Sequence, residues 1–93
     1  FAALGHPLRQ SIVRQLTTAP ASVRALTAAL PASQPVISQH LKVLRETGLV
    51  RVETRGARNI YSIEADQLDK LRAFLEQHWL SSLKTLGETD PDD

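Results

Sequence analysis

Six polar side chains lie within the ten residues 33–42, a density that suits hydrogen bonding to another molecule. Amide and hydroxyl groups can donate to and accept from the edges of bases, and an ammonium group can meet a phosphate oxygen. A second group consists of two cationic residues, Arg55 and Arg58, which lie on either side of Gly56-Ala57. Flexible arginines of this kind suit phosphates and a narrow minor groove. The six polar residues are Ser33, Gln34, Ser38, Gln39, His40 and Lys42.

These polar residues fall on a predicted helix, the third in the chain. Ser33 takes the N-cap position, Pro35 lies in the first turn where a missing N–H costs nothing, and Gly48 follows the last turn. An apolar stripe at i, i+4, i+7 spacing gives the helix a buried face. The stripe comprises Ile37, Leu41 and Leu44, extended by Val36, His40 and Val43. The opposite face is either a binding surface or an ordinary solvated surface.

Two helices precede this one and a hairpin follows it. The first begins at His6-Pro7, and the second runs from about Ser22, its N-cap, to Leu30. The short gap at residues 31–32 forces the second and third helices to cross sharply. After Gly48 apolar and polar residues alternate with period two, which predicts a β-hairpin with the two arginines at its tip. That tip is either a contact for phosphates or a solvated turn.

From Glu64 the spacing is helical again for more than twenty residues, with a wide apolar stripe. This order of elements predicts a mainly α fold with a small β-hairpin, namely a winged helix-turn-helix with a C-terminal dimerisation helix. The alternative for the last stripe is packing back onto its own domain. We expect one DNA-binding and dimerisation domain over residues 1–86 and an acidic disordered tail over residues 87–93.

Charge is divided unevenly along the 93 residues. Residues 1–63 hold eight basic and two acidic side chains, net +6, whereas residues 64–93 hold three basic and eight acidic ones, net −5. The basic part is expected to bind a polyanion.

The absence of cysteine excludes disulfides, thiolate metal sites and cysteine nucleophiles. No apolar run approaches the ~18 residues that span a bilayer and no signal peptide opens the chain, so we expect a cytoplasmic protein. Because the chain starts at Phe1 and has no Met, we also expect a missing N-terminus.

Four segments of the sequence resemble the ArsR/SmtB family of bacterial winged-helix repressors. The most specific is residues 33–44, SQPVISQHLKVL, which is similar to that family's recognition helix. The opening ALGHPLR at residues 3–9, GLV at 48–50 and the wing RGARNIYSI at 55–63 agree with the same family pattern. The resemblance covers about residues 1–80.

The resemblance implies a homodimer that binds an inverted-repeat operator in double-stranded DNA and represses transcription until a signal releases it. The six polar residues would then contact DNA together with Arg55 and Arg58, and Ser33 and Lys42 would hold the backbone. The dimer interface is expected to join the start of the chain to the last helix. Its expected residues are Phe1, Leu4, Leu71, Leu75, His78, Trp79 and Ser82.

The sequence departs from the metal-sensing members of this family. Their cysteines are absent, and a known His/carboxylate pattern fails because Leu68 stands two residues after Asp66 and no carboxylate follows His78 at the right spacing. We therefore expect no metal and no cofactor, and the effector stays open. His6 is expected to be a turn residue, His40 a DNA contact or a core-edge hydrogen-bonding group, and His78 a packing residue.

Two other classes of function compete with a DNA-binding repressor. A winged-helix module that binds protein without DNA need not have a basic wing, and this wing is basic. An enzyme finds little support, because the sequence has no paired-carboxylate signature, no nucleophile elbow and no Gly-rich phosphate loop. The sequence therefore favours a sequence-specific DNA-binding transcriptional regulator, with the protein-interaction module as the alternative.

Overall fold

The computed structural model describes residues 2–74, 76 and 77, in which a helical body carries a small antiparallel sheet. In chain order the elements are a 3-10 helix Ala2–Gly5, α1 Pro7–Thr18, β1 Ala21–Ser22, α2 Val23–Ala29, α3 Gln34–Glu46, β2 Val50–Arg55, β3 Arg58–Ile63 and a 3-10 helix Ala65–Gln67. Residues 68–74, 76 and 77 are again helical. This arrangement confirms the predicted winged helix-turn-helix, while the dimerising role of the last helix stays a prediction.

Several predictions lie outside the described residues. They concern the tail at residues 87–93 and the interface residues Phe1, Leu75, His78, Trp79 and Ser82. Within the part that the structure describes, no helix is long and apolar enough to cross a membrane.

Local signals explain where the helices begin and end. His6 caps α1, because its Nδ1 accepts a backbone N–H of the first turn at 3.1 Å. Ser22 caps α2 in the same way, with its hydroxyl 3.1 Å from a first-turn N–H. Ser33 takes the N-cap position of α3 as predicted, without a side-chain capping bond. Gly48 follows α3 with a φ of +82°, a left-handed conformation that would strain other residues.

The core packs one stripe of α3 against the other elements. Ile37, Leu41 and Leu44 are fully buried, as the predicted stripe requires. Val36 was predicted to extend this stripe, but it is 39% exposed, so the prediction for Val36 is wrong. One residue corresponds to a rotation of about 100° round a helix, which carries Val36 away from the core. The other core residues are Ala3, Leu4, Ile12, Val13, Leu16, Leu26, Leu49, Val50 and Leu71.

Two residues predicted at the dimer interface belong instead to the core of a single chain. Leu4 is 1% exposed and Leu71 is 0% exposed. A side chain without exposed surface cannot contact a second copy directly. The alternative of packing on the chain's own domain therefore holds for these two positions, and the prediction of direct interface contact there is wrong.

The hairpin forms as predicted. β2 and β3 pair in antiparallel register from Val50 opposite Ile63 to Arg55 opposite Arg58. Gly56, with a φ of +63°, closes the two-residue turn between them.

The sheet has a third strand that the sequence did not predict. β1 pairs with the free edge of β3, with Ala21 opposite Tyr61 and Ser22 opposite Ile60. Two residues are too few to show an alternating pattern, so no strand signal precedes α2. Because Ser22 also caps α2, the sheet is attached directly to the helix-turn-helix.

Candidate nucleic-acid interface

The exposed face of α3 carries the predicted polar contacts. Gln34, Ser38, Gln39 and Lys42 are all exposed, on the side away from the buried stripe. None of their side chains hydrogen-bonds to another described residue, so their donors and acceptors are available to a ligand. Ser33, at the start of the helix, is exposed as well. An α-helix with such a face fits the major groove of B-DNA.

At the tip of the wing, one cross-strand pair consists of two positively charged residues. Arg55 and Arg58 are exposed and lie directly opposite each other. Like charges in this arrangement destabilise a hairpin, and an anion bound between them relieves that repulsion. Arg55 Nη2 lies 3.1 Å from Glu53 Oε1, but both side chains are well exposed, so solvent screens the pair. Among the described residues, no carboxylate pairs with Arg58.

An open groove of about 580 Å³ separates α2 from the wing. Its polar lining includes Arg24 from α2, Gln34 from the start of α3, and Arg58, Asn59 and Tyr61 from β3. Among the described residues, no acidic side chain lines it. Sequence reasoning missed this groove, because it depends on the unpredicted pairing of β1 with β3. The excess of basic over acidic residues in residues 1–63 was the one sequence signal that pointed to an anion-binding surface in this part of the chain.

A second open groove lies between the C-terminal half of α3 and β2. Lys42, Arg45 and Arg51 line it together with the carboxylate of Glu46. The carboxylate offsets one of the three positive charges, so the net charge of this lining equals that of the two arginines in the first groove.

His40 is held by α1. Arg9 donates from Nε to His40 Nδ1 at 3.2 Å and from Nη1 to the carbonyl oxygen of Ala3 at 3.1 Å. The ring of His6 lies 4.5 Å from the ring of His40, measured between centroids. The core-edge hydrogen bond, one of the two alternatives for His40, is therefore present, and its contact with DNA stays a prediction. The partnership with Arg9 joins residues 31 apart in the chain, which no local pattern reveals.

This environment disfavours the charged form of His40. Partial burial lowers the pKa of His40 from its ordinary value of 6.5, and the charges of His6 and Arg9 act in the same direction. The geometry agrees, because Nδ1 must be unprotonated to accept from Arg9. The neutral ring then carries its proton on Nε2.

We expect acid to weaken folding through His40. The unfolded chain takes up a proton at about pH 6.5, before the folded protein does, so the free energy of unfolding should fall as the pH drops through that value towards the lower pKa of the folded state. His40→Gln keeps an acceptor for Arg9 and removes the titration. Urea unfolding at about pH 7.5 and about pH 5.5 measures the difference. An equal loss of stability in both proteins would contradict the role assigned to His40.

The described residues contain no cluster of three or more histidine, aspartate or glutamate side chains that could hold a metal ion. The structure therefore adds no candidate metal centre within residues 2–74, 76 and 77 to those considered from the sequence.

Comparison with known proteins identifies the family. A family model described as a helix-turn-helix domain matches residues 4–53. The HTH-type transcriptional regulator Rv2034 of Mycobacterium tuberculosis is 38% identical over 81 residues, which cover 87% of this chain and 76% of that protein. The HTH-type transcriptional repressor SmtB of the same species is 41% identical over 61 residues, which cover 66% of this chain and 45% of the repressor.

A solved structure agrees with both the fold and the family. It is the solution structure of the homodimeric winged helix-turn-helix DNA-binding domain Mb0332 from Mycobacterium bovis, described as a possible ArsR-family transcriptional regulator. The two chains are 25% identical and superimpose with a TM-score of 0.78, over 90% of this chain and 78% of the other. The chain thus belongs to the ArsR/SmtB family of winged helix-turn-helix transcriptional regulators.

Proposed function

We propose that this regulator is a homodimeric repressor that acts in the cytoplasm and binds an inverted-repeat operator in double-stranded DNA. The observation that carries the proposal is the free polar face of α3, fixed in rotation by three fully buried residues and flanked by the arginine-tipped wing. The homodimeric state of the Mycobacterium bovis neighbour supports pairing of two copies. The similar proteins are named as regulators and repressors, and we propose no catalytic activity.

Each part of the interface has a distinct role in this proposal. Ser38 and Gln39 contact base edges in the major groove, where an amide can form a bidentate pair with adenine. Lys42 and Ser33 hold the sugar–phosphate backbone. Arg58 reaches phosphates or the minor groove from the wing. In a two-fold dimer the two α3 helices would enter successive major grooves about 34 Å apart.

The direct test is a fluorescence anisotropy titration with duplex DNA from the region upstream of the gene. We expect tighter binding to this duplex than to a random duplex of equal length, together with a dimer in sedimentation experiments at micromolar concentration. A monomer at that concentration, or equal and weak binding to both duplexes in dilute buffer, would overturn the proposal. In the second case a protein-binding module becomes the better account of the fold.

Two substitutions separate base reading from backbone binding. Gln39→Ala should relax discrimination between operator variants, with each lost base contact costing on the order of 1–3 kcal/mol. Arg58→Ala should weaken binding to every duplex alike and flatten its dependence on salt. Titrating both variants against operator and random duplexes measures the two effects. If the variants lose affinity identically on the two duplexes, the division of roles is wrong.

A further inference from the structure

We propose that the groove between α2 and the wing holds the sugar–phosphate backbone of one DNA strand, and that Arg24 and Arg58 bind its phosphates from opposite sides. Arg24 was not among the contacts predicted from the sequence. This inference rests on the proposed function, since it places one strand of the bound duplex relative to α2.

The register of the sheet brings the two arginines together. β1 and β3 are antiparallel, with Ser22 opposite Ile60. If this register continued for two more residues, position 24 would lie opposite position 58. The chain leaves the ladder at Val23 to begin α2, so no strand pairing joins these two positions. Arg24 and Arg58 accordingly line the same groove.

The chemistry of the groove fits a phosphodiester chain. Both arginines are exposed, and a guanidinium group binds a phosphate with two parallel hydrogen bonds. The amides of Gln34 and Asn59 and the hydroxyl of Tyr61 supply further hydrogen-bonding groups in the same lining, where no carboxylate from residues 2–74, 76 and 77 competes. The second groove differs in this respect, because Glu46 lies in its lining.

The shape and position of the groove favour DNA over a small anion. Its volume of about 580 Å³ exceeds that of a single phosphate, and it is open to solvent. Gln34 belongs both to its lining and to the exposed face of α3. A strand that passes through the groove would therefore continue directly to the recognition helix. A separate small-molecule site would not need this continuity.

The test compares Arg24→Ala with a matched control, Arg72→Ala. Both residues are exposed arginines, and Arg72 lies in the helical residues 68–74, in the acidic part of the chain. We expect Arg24→Ala to bind operator and random duplexes about tenfold more weakly, with a salt dependence shallower by roughly one phosphate contact per copy, and Arg72→Ala to bind like the original protein. Arg24→Lys, which keeps the positive charge but not the two parallel hydrogen bonds, should restore the salt dependence and recover part of the affinity. Circular dichroism and thermal unfolding check that each variant folds.

Removing the charge of single phosphates in the DNA identifies the phosphate that Arg24 contacts. In a set of operator duplexes, each with one phosphate replaced by an uncharged methylphosphonate, we expect one position that weakens the original protein but has no further effect on Arg24→Ala. If Arg24→Ala binds like Arg72→Ala, or if no such position exists, the groove assignment is wrong although the protein still binds DNA. If the original protein itself binds no duplex, the proposed function fails first.

Discussion

Replacing Leu41 with alanine should lower the free energy of unfolding by about 2–5 kcal/mol, because the change removes buried methyl groups and leaves a cavity. Leu41 has no exposed surface and lies between Ile37 and Leu44 in the stripe that fixes the rotation of α3. A small domain has only about 5–15 kcal/mol of stability in total, so this single change could remove a large part of it. Urea unfolding followed by circular dichroism measures the loss.

Val36→Ala is the matched control for Leu41→Ala. It also shortens an aliphatic side chain on α3, but at a position that is 39% exposed. We expect a change within about 0.5 kcal/mol, the usual range for surface substitutions. A loss in Val36→Ala as large as that in Leu41→Ala would contradict a rotation of α3 that buries Leu41 and exposes Val36.

Binding to operator DNA should weaken on the order of 10³-fold when salt is raised from about 50 mM to about 200 mM. Without the inferred Arg24 contact, the charged backbone contacts are Lys42, Arg55 and Arg58 in each copy, and Arg24 would make the slope steeper. Six such contacts in a dimer correspond to a slope of about −5 in a plot of log affinity against log salt, whereas three in a single copy correspond to about −3. Anisotropy titrations at four or more salt concentrations give the slope.

The slope also tests the stoichiometry independently of sedimentation. A value near that of a single copy would contradict a dimer on the operator even if the protein dimerises alone. A slope close to zero would contradict phosphate binding altogether and favour the protein-interaction alternative. Wing variants should move the slope towards zero, and the Arg72→Ala control should leave it unchanged.

Features set by neighbouring residues were predictable from the sequence. The periodicity of Ile37, Leu41 and Leu44 predicted which side of α3 is buried, and therefore which polar residues are free. The alternation after Gly48 predicted the hairpin and placed both arginines at its tip. In each case the spacing of side chains along one element determines the result.

Features set by contacts between distant segments were not predictable. The bond from Arg9 to His40 and the pairing of β1 with β3 join parts of the chain that the sequence pattern does not connect. Leu71 was predicted at a dimer interface for a similar reason, because an apolar stripe does not show whether it packs on its own domain or on a partner. Packing, rather than local propensity, decides these positions.

The pairing of Ser22 with Ile60 also affects how the regulator could choose its target sequences. Ser22 caps α2 and pairs with Ile60 of β3, so the base of the wing is attached to the start of the helix-turn-helix. With the base of the wing attached in this way, we expect the bound duplex to adapt its shape to the protein. Flexible dinucleotide steps and groove width would then contribute to operator choice at base pairs that no side chain touches.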